Sequence, residues 1–372
     1  MTSKKLLKKV LGMVLGIILI LGITTFFYMM HPIFGKRPSG QRLEMIQQSP
    51  NYRDGKFHNQ HHTPQIAENY SYPKALYEFF FKKSPDVRPT NPIPSIQPNW
   101  ADLPTNNFLI WLGHSSYYMQ IDGKRFLIDP VLSGSVSPLP GGGKSFKGTE
   151  ICTVADLPAI DFLLITHDHY DHLDYEAIKA LQPKVGRVIC GLGVGEHLEY
   201  WGYSASQIIE KDWYQTIDLG EGFVVHTAPA RHFSGRSIWT SNTLWMSYVL
   251  QTPSKKLYLG GDSGYDTHFA EIGAQYGPFD LAILENGQYN LAWKYIHMQP
   301  EEVWKAAEEL KAKALFPVHS SKFALANHAW NEPLERVYNL RERHQIDLYT
   351  PQIGQLIDLD KEGQTFSDWW KY

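Results

Sequence analysis

Four side chains that can bind a metal ion fall within six positions of the chain. They are His167, His169, Asp171 and His172, in the pattern His-x-His-x-Asp-His. Neutral imidazole and carboxylate groups are ligands for Zn²⁺ and similar ions. The spacing therefore predicts a metal-binding loop, and the alternative is a polar surface loop that happens to be rich in histidine.

The stretches on either side of this loop favour metal binding. An apolar run, Ile160–Ile165, predicts a buried strand before it, and Tyr175–Leu181 predicts a helix after it. Functional sites of α/β sheets lie at the C-terminal ends of strands. In an extended chain His167 and His169 point to the same side, so both can bind one ion, and a turn after them can direct the other two ligands to a second ion.

The pattern resembles the defining loop of the metallo-β-lactamase superfamily, which contains lactonases, thioesterases, nucleases and phosphodiesterases as well as lactamases. The resemblance implies a binuclear hydrolase with two Zn²⁺ ions per chain. Strands and helices also alternate in the order expected for an αβ/βα four-layer sandwich. In that fold two mixed sheets pack face to face and helices cover the outer surfaces.

Three later residues, His232, Asp262 and His319, each closely follow an apolar run that is typical of a strand. Taken alone, they could be an Asp in a Gly-rich turn and two structural histidines. The resemblance implies instead two ligand sets that share Asp262 as a bridge. One set is made of His167, His169 and His232. The other set is made of Asp171, His172 and His319.

The resemblance also implies residues that act on the substrate or support the ligands. We expect Asp168, Asp262 and His297 to be the catalytic residues, with Asp168 accepting a hydrogen bond from the hydroxide between the ions. His297 is expected near the substrate or its leaving group, and the alternative is a structural histidine that precedes Pro300. Asp129, at the end of an earlier strand, is expected to brace the metal loop.

Trp-Leu-Gly-His-Ser-Ser at 111–116 resembles the opening motif of a branch shared by the N-acyl-phosphatidylethanolamine-hydrolysing phospholipases D and the ascorbate-6-phosphate lactonase-like hydrolases. Four further stretches resemble the phospholipases D themselves. They are His-Tyr-Asp-His at 169–172, Gly-Asp-Ser-Gly-Tyr at 261–265, His-Met-Gln-Pro-Glu-Glu at 297–302 and Lys-Phe-Ala-Leu-Ala-Asn at 322–327. The resemblance implies hydrolysis of N-acyl-phosphatidylethanolamine to N-acylethanolamine and phosphatidic acid. The aromatic residues Tyr289, Trp293 and Tyr295 would line a path for acyl chains or belong to the core. The alternatives are a metal-dependent lactonase or small-phosphodiester hydrolase, and a non-catalytic membrane-bound binding protein.

The N-terminal stretch has the composition of a membrane anchor. Lysines 4, 5, 8 and 9 precede an uncharged run over residues 10–30, which is long enough to cross a bilayer as a helix. A cleaved signal peptide is the alternative, and the run lacks a small-x-small cleavage site after it. The lysines predict a cytoplasmic N-terminus and a catalytic domain on the far side of the membrane, although Lys36, Arg37 and Arg42 oppose this orientation.

The 372 residues are 43% hydrophobic and 20% charged, which is ordinary for a globular protein. A net charge of −3 offers no basic surface for nucleic acid. We expect a membrane anchor at 1–30, an extended segment at 31–106 that packs on the body, and a hydrolase domain at 107–372, with 131–148 as a mobile loop over the site. The expected partners are a membrane lipid substrate and the bilayer itself, and a homodimer is left open.

Overall fold

The computed structural model describes residues 3–371, which form two seven-stranded mixed sheets, a small hairpin and eight α-helices. The helices are α1 Ser3–Tyr28, α2 Gly40–Gln47, α3 Tyr72–Phe81, α4 Tyr175–Leu181, α5 Val194–Tyr200, α6 His268–Gln275, α7 Pro300–Glu309 and α8 Glu332–Leu340. The strands are β1 Tyr52–Arg53, β2 Lys56–Phe57, β3 Phe108–Trp111, β4 Tyr117–Ile121, β5 Lys124–Ile128, β6 Ile160–Ile165, β7 Val185–Gly191, β8 Ile208–Lys211, β9 Thr216–Gly220, β10 Phe223–Ala228, β11 Ser247–Gln251, β12 Lys256–Leu259, β13 Leu281–Glu285, β14 Ala314–Val318, β15 Asp347–Leu348 and β16 Leu356–Asp358.

The first large sheet has the strand order β16-β3-β4-β5-β6-β7-β8. Strands β3 to β5 form an antiparallel meander, and the turn between β4 and β5 has φ angles of 48° at Asp122 and 79° at Gly123. Positive φ at both residues is the conformation that a two-residue hairpin requires. Strands β5 to β8 are parallel, and β6 and β7 are largely buried, as expected of strands covered on both faces.

The second large sheet has the order β15-β14-β13-β12-β11-β10-β9 and is parallel from β12 to β15. Its inner face packs against the first sheet in one hydrophobic core. A smaller core lies between its outer face and the helices α6, α7 and α8. Helices α4 and α5 accompany the first sheet. The αβ/βα four-layer sandwich predicted from the order of elements is therefore confirmed.

The parallel strands direct chemically active residues to one edge of the sandwich. Asp129 follows β5, His167 follows β6, and Asp262 and His319 follow β12 and β14. His232 comes soon after the end of β10. The carboxyl ends of strands in α/β sheets are where ligands bind, so this edge is the place to look for the metal site.

The segment at 31–106 contains more regular structure than the extended segment expected from the sequence. Helix α2 and the β1–β2 hairpin lie in it, and they bury Ile46 and Phe57 against the body. Helix α3 lies in the same segment and begins after Ser71, whose Oγ accepts a hydrogen bond from the Lys74 amide at 3.4 Å. Such a cap satisfies one of the free amides at a helix start.

Helix α1 is long and apolar enough to cross a membrane, and a signal sequence would have the same length and composition. It does not pack into the core. The Tyr28 hydroxyl donates a hydrogen bond to the carbonyl of Pro138. The end of this helix therefore contacts the body directly.

Candidate metal centre

The structure brings all seven predicted ligands into one buried cluster. The first set is made of His167, His169 and His232, whose nearest ring nitrogens all lie within 4.8 Å of one another. Nε2 of His167 is 2.9 Å from Nδ1 of His169, and Nε2 of His232 is 3.2 Å from the same atom. Three imidazole nitrogens thus converge on one point.

The second set contains the three expected residues and one that sequence reasoning missed. Asp171, His172 and His319 lie with His114, again with ligand atoms within 4.8 Å of one another. Nε2 of His114 is 3.0 Å from Oδ2 of Asp171. His114 lies in the Trp-Leu-Gly-His stretch after β3, and its φ of 53° turns the side chain toward the cluster. That backbone conformation is uncommon for a non-glycine residue and leaves no clear mark in a single sequence.

Asp262 lies between the two sets, as predicted for a bridging ligand. Its Oδ2 atom is 3.2 Å from Nε2 of His172 and 3.9 Å from Nε2 of His167. Its Oδ1 atom is 3.1 Å from Nδ1 of His319. One carboxylate therefore faces ligands of both sets.

The chemistry of these residues fits divalent cations. Burial lowers the pKa of His167, His232 and His319 far below the usual range, so the three imidazoles are neutral and their nitrogen lone pairs are free for a cation. Within the described residues, Nε2 of His172 and Oδ1 of Asp262 are buried without a hydrogen-bond partner. Such atoms cost free energy unless something binds them, and a metal ion would do so.

Burial also raises the pKa of the Asp262 carboxyl to about 6. A carboxylate in a dry site favours its neutral form unless positive charge is near. A bound cation would supply that charge and stabilise the ionised form of Asp262. Asp262 therefore has the properties of a ligand and not those of a structural turn residue.

A cavity of about 320 Å³ opens above the cluster. Its floor contains ligand side chains from both sets together with His297, and Gln65 and Gln288 add polar groups. Six apolar residues form its walls. They are Ile66, Tyr72, Phe233, Trp293, Ile296 and Leu325.

Comparison with known proteins identifies the family. Residues 124–320 match the β-lactamase superfamily domain. The chain is 38% identical over 333 residues to an uncharacterised protein of Mycobacterium tuberculosis (strain ATCC 25618 / H37Rv), covering 87% of this chain and 88% of that one. The chain belongs to the metallo-β-lactamase superfamily.

Two further proteins are similar to the chain. The N-acyl-phosphatidylethanolamine-hydrolyzing phospholipase D 1 of Caenorhabditis elegans is 27% identical over 252 residues, which cover 64% of this chain and 70% of that one. The structure of Igni18, a metallo hydrolase from Ignicoccus hospitalis KIN4/I, aligns with a TM-score of 0.54 and 20% identity, over 68% of this chain and 97% of that one. Together with the His/Asp cluster, the family makes this chain a metal-dependent hydrolase.

The metal loop is braced from behind by Asp129, as predicted. Its Oδ1 atom accepts a hydrogen bond from the Thr166 amide at 2.8 Å, and its Oδ2 atom accepts one from the Thr166 hydroxyl at 2.6 Å. Nδ1 of His172 lies 2.8 Å from the same Oδ2 atom. Because Asp129 holds the proton on Nδ1, the Nε2 atom of His172 is left to bind a metal.

His232 is oriented in the same way by a backbone group. Its Nδ1 atom lies 3.0 Å from the carbonyl oxygen of Ile296, an acceptor, so Nδ1 carries the proton and Nε2 faces the cluster. His232 is almost fully buried. The contacts of His172 and His232 thus fix which ring nitrogen carries the proton before any metal binds.

The carboxylate of Asp168, which is expected to accept a hydrogen bond from the hydroxide between the ions, contacts two residues that are not predicted metal ligands. Oδ1 of Asp168 accepts a hydrogen bond from the Gly235 amide at 2.6 Å, and Oδ2 lies 3.1 Å from Nε2 of His197. Nδ1 of His197 accepts from the Lys36 amide at 2.9 Å, so Nε2 is the protonated nitrogen that donates to Asp168. Both carboxylate oxygens therefore have a partner already, and the contact of Asp168 with a hydroxide stays a prediction.

Arg236, which sequence reasoning also missed, connects the metal loop to the N-terminal segment. Its buried guanidinium donates to the carbonyls of Asp168 and Leu173, and also to that of Ile33 at 2.9 Å. The same group stacks over the ring of Tyr170 at 4.3 Å. The residues just after α1 thus share one hydrogen-bond network with the loop that carries four ligands.

His297 lies at the cluster and has a partner that sequence reasoning missed. Its ring is 5.1 Å from that of His232 and 5.2 Å from that of His319. Its Nδ1 atom lies 3.0 Å from Oε2 of Glu285, which is buried and is the last residue of β13. Oε1 of Glu285 accepts from the Met298 amide at 2.6 Å. This pairing leaves Nε2 of His297 facing the cavity.

Of the three aromatic residues expected along a substrate path, the structure places Trp293 in the cavity wall. Tyr289 is buried and donates to Glu332, and Tyr295 donates to Glu68. The loop at 131–148 was expected over the site. Its Ser133 and Phe146 amides instead bond to Asp174 and Lys322, and it contributes no residue to the described lining of the cavity.

If Asp129 sets the tautomer of His172, replacing it should weaken metal binding. The Asp129→Asn variant presents an amide N–H to donors that need an acceptor, and we expect its metal affinity to fall by about 10–100-fold. The measurement is competition with a chromophoric chelator. Asp174→Asn is the matched control, because Asp174 is also buried and bonds to Leu132 and Ser133 but contacts no ligand. Equal loss of affinity in both variants would contradict the assignment.

If Asp168 acts through His197, changes at the two positions should not be additive. We expect Asp168→Asn and His197→Phe to show a coupling of about 0.5–3 kcal/mol in the free energy of unfolding, measured by a double-mutant cycle. Turnover of an aryl phosphodiester should fall by similar factors in the two variants. A far larger loss of turnover in Asp168→Asn than in His197→Phe would restore the direct catalytic role.

Proposed function

We propose that this hydrolase is a zinc-dependent phosphodiesterase of the phospholipase D type. It would bind two Zn²⁺ ions and cleave N-acyl-phosphatidylethanolamine to N-acylethanolamine and phosphatidic acid. The observation that carries this proposal is the cavity itself, in which a floor of metal ligands lies beneath six apolar side chains. The similarity of the chain to a phospholipase D that hydrolyses N-acyl-phosphatidylethanolamine supports the same conclusion.

The cavity suits a substrate that is charged at one end and apolar at the other. A phosphodiester group needs positive charge, which the ligand floor would hold as bound metal ions. Acyl chains need apolar surface, which Phe233, Trp293 and Leu325 provide in the walls. A small, polar lactone or cyclic phosphodiester would leave these walls in contact with water.

A pair of divalent cations supplies, when bound, an acidified water as nucleophile and positive charge opposite the phosphoryl oxygens. The residues of this chain do the positioning. Asp262 faces both ligand sets, since Oδ2 lies 3.9 Å from Nε2 of His167 in one set and Oδ1 lies 3.1 Å from Nδ1 of His319 in the other. Asp129 fixes the orientation of His172 from behind. This preorganised arrangement needs no rearrangement of ligands during the reaction.

In this proposal His297 donates a proton to the leaving group. When the P–O bond to the ethanolamine oxygen breaks, that oxygen would take the proton from Nε2 of His297, and the proton released by the attacking water would replace it. Glu285 holds Nδ1 of the same ring at 3.0 Å and stabilises the ring in that orientation. The attacking water provides the new oxygen on phosphorus, so phosphatidic acid is the second product.

Helix α1 supports a membrane lipid as the substrate. As an uncleaved anchor it would keep the hydrolase at the bilayer, with the N-terminus in the cytoplasm and the catalytic body on the far side. The direct contact of Tyr28 with the body would then hold the cavity close to the lipid surface.

The decisive assay is incubation of the zinc-loaded full chain with N-acyl-phosphatidylethanolamine, followed by mass spectrometry of the products. We expect N-acylethanolamine and phosphatidic acid in equal amounts. The Asp262→Asn variant should fall to the rate of background hydrolysis, and Asp218→Asn, an exposed position on β9, should retain full activity. Intact lipid together with opening of lactones by the same preparation would favour the lactonase instead.

Loss of the proton donor should depend on the leaving group. We expect His297→Ala to lower kcat for the lipid by about 10²–10⁴-fold, the range typical of a general acid. With an aryl phosphodiester, whose leaving phenolate needs no proton, the loss should be small. Glu285→Gln should show the same dependence in weaker form. A loss that is equal for both substrates would mean that His297 is structural.

A further inference from the structure

The surface around the cavity exposes large apolar side chains that the fold leaves without a partner. Beyond residue 30, and within the part of the chain that the structure describes, nine such side chains are more than half exposed, five on α3 and four elsewhere. The five on α3 are Tyr72, Leu76, Tyr77, Phe80 and Phe81. The other four are Leu139, Ile238, Trp239 and Leu291. Soluble monomers seldom expose so many large apolar groups together, and such patches mark interaction surfaces.

Helix α3 carries five of the nine exposed apolar side chains, and it lies at the mouth of the metal-site cavity. Tyr72 lines that cavity, and the Glu78 carbonyl accepts a hydrogen bond from the Asn327 side chain at 2.9 Å, on the chain that follows His319. At 3.6 residues per turn, its five exposed residues cover roughly half of the helix circumference. Ala75 is buried on the opposite side and fixes which face points outward.

The remaining four residues belong to segments that border either the same cavity or the end of α1. Leu291 is two residues from Trp293 in the cavity wall. Leu139 adjoins Pro138, whose carbonyl accepts from Tyr28 of α1. Ile238 and Trp239 line a second cavity, of about 410 Å³, with Phe26 and Met30 from the end of α1.

The charges on this surface suit a lipid bilayer better than a protein partner. The stretch 72–83 carries three lysines and one glutamate, a local charge of +2, in a chain whose net charge is −3. Lys82 and Lys83 lie over the rings of Tyr77 and Phe79, and Arg37 lies over the ring of Trp239 at 4.6 Å. Aromatic residues interleaved with lysine and arginine are typical of helices that lie in the membrane interface.

We propose that this apolar face docks on the bilayer that α1 crosses, so that the mouth of the metal-site cavity opens against the lipid headgroups. Helix α3 lies in the interface with its apolar face buried by roughly 5–10 Å. The short connection supports this arrangement, because Tyr28 contacts the body and three residues separate α1 from the Pro32–Phe34 turn. The inference rests on the proposed membrane anchoring by α1, and it holds whatever bond the enzyme hydrolyses.

Fluorescence quenching in the full chain tests this arrangement without any measurement of turnover. Cys152 is replaced by Ser, the buried Cys190 is kept, and an environment-sensitive fluorophore is attached at Phe80→Cys or, separately, at Leu139→Cys. Each protein is reconstituted as one copy per nanodisc, in an anionic phospholipid mixture with or without lipids brominated near the headgroup. The control is Glu221→Cys, since Glu221 is exposed and precedes β10, at the opposite end of that strand from His232.

We expect the labels at positions 80 and 139 to be quenched several-fold more strongly by brominated lipid than the label at position 221. Both positions are exposed, so the substitutions should leave folding intact, which circular dichroism checks. Equal quenching at all three positions would overturn the proposal. Weak quenching together with energy transfer between labelled copies at higher loading would overturn it too, and would assign the face to a second copy of the chain.

Discussion

Burial of several titratable side chains at one point is the constraint on which this structure depends. Burial in a dry space disfavours the charged form of each imidazole and each carboxylate, and unpaired polar atoms there cost free energy. Only a ligand with positive charge satisfies all of them at once. The fold brings His167, Asp262 and His319 to this point from the ends of three different strands, so the sandwich and the metal centre are parts of a single arrangement.

Much of this arrangement could be predicted from the sequence. The pattern of ligands at 167–172 is local, and each later ligand follows an apolar strand, so periodicity locates His232, Asp262 and His319 even before their partners are known. The meander of β3 to β5 and its Asp122–Gly123 turn are local as well. Both depend on neighbours within a few residues, which is where sequence patterns carry information.

The residues that sequence reasoning missed all act through distant contacts. Glu285 becomes important because β13 and the 297 segment end side by side, and His197 because α5 packs behind the metal loop. Asp168 shows the same limit, since its place in the motif could not reveal its partners in the fold. Its carboxylate contacts His197, which lies 29 residues further along the chain, and the Gly235 amide.

Arg236 connects the metal loop, where hydrolysis is proposed, to the segment after α1, the proposed membrane anchor. A buried guanidinium needs acceptors for its N–H groups, and here they are backbone carbonyls of the metal loop on one side and of Ile33 on the other. Because these acceptors are backbone carbonyls and not side-chain carboxylates, Arg236 is the one side chain in the hydrogen bonds that join the metal loop to Ile33. Any tilt of the body against the segment after α1 would break bonds that hold the loop. The orientation of the cavity relative to α1 is therefore set by the same contacts that keep the ligands in place.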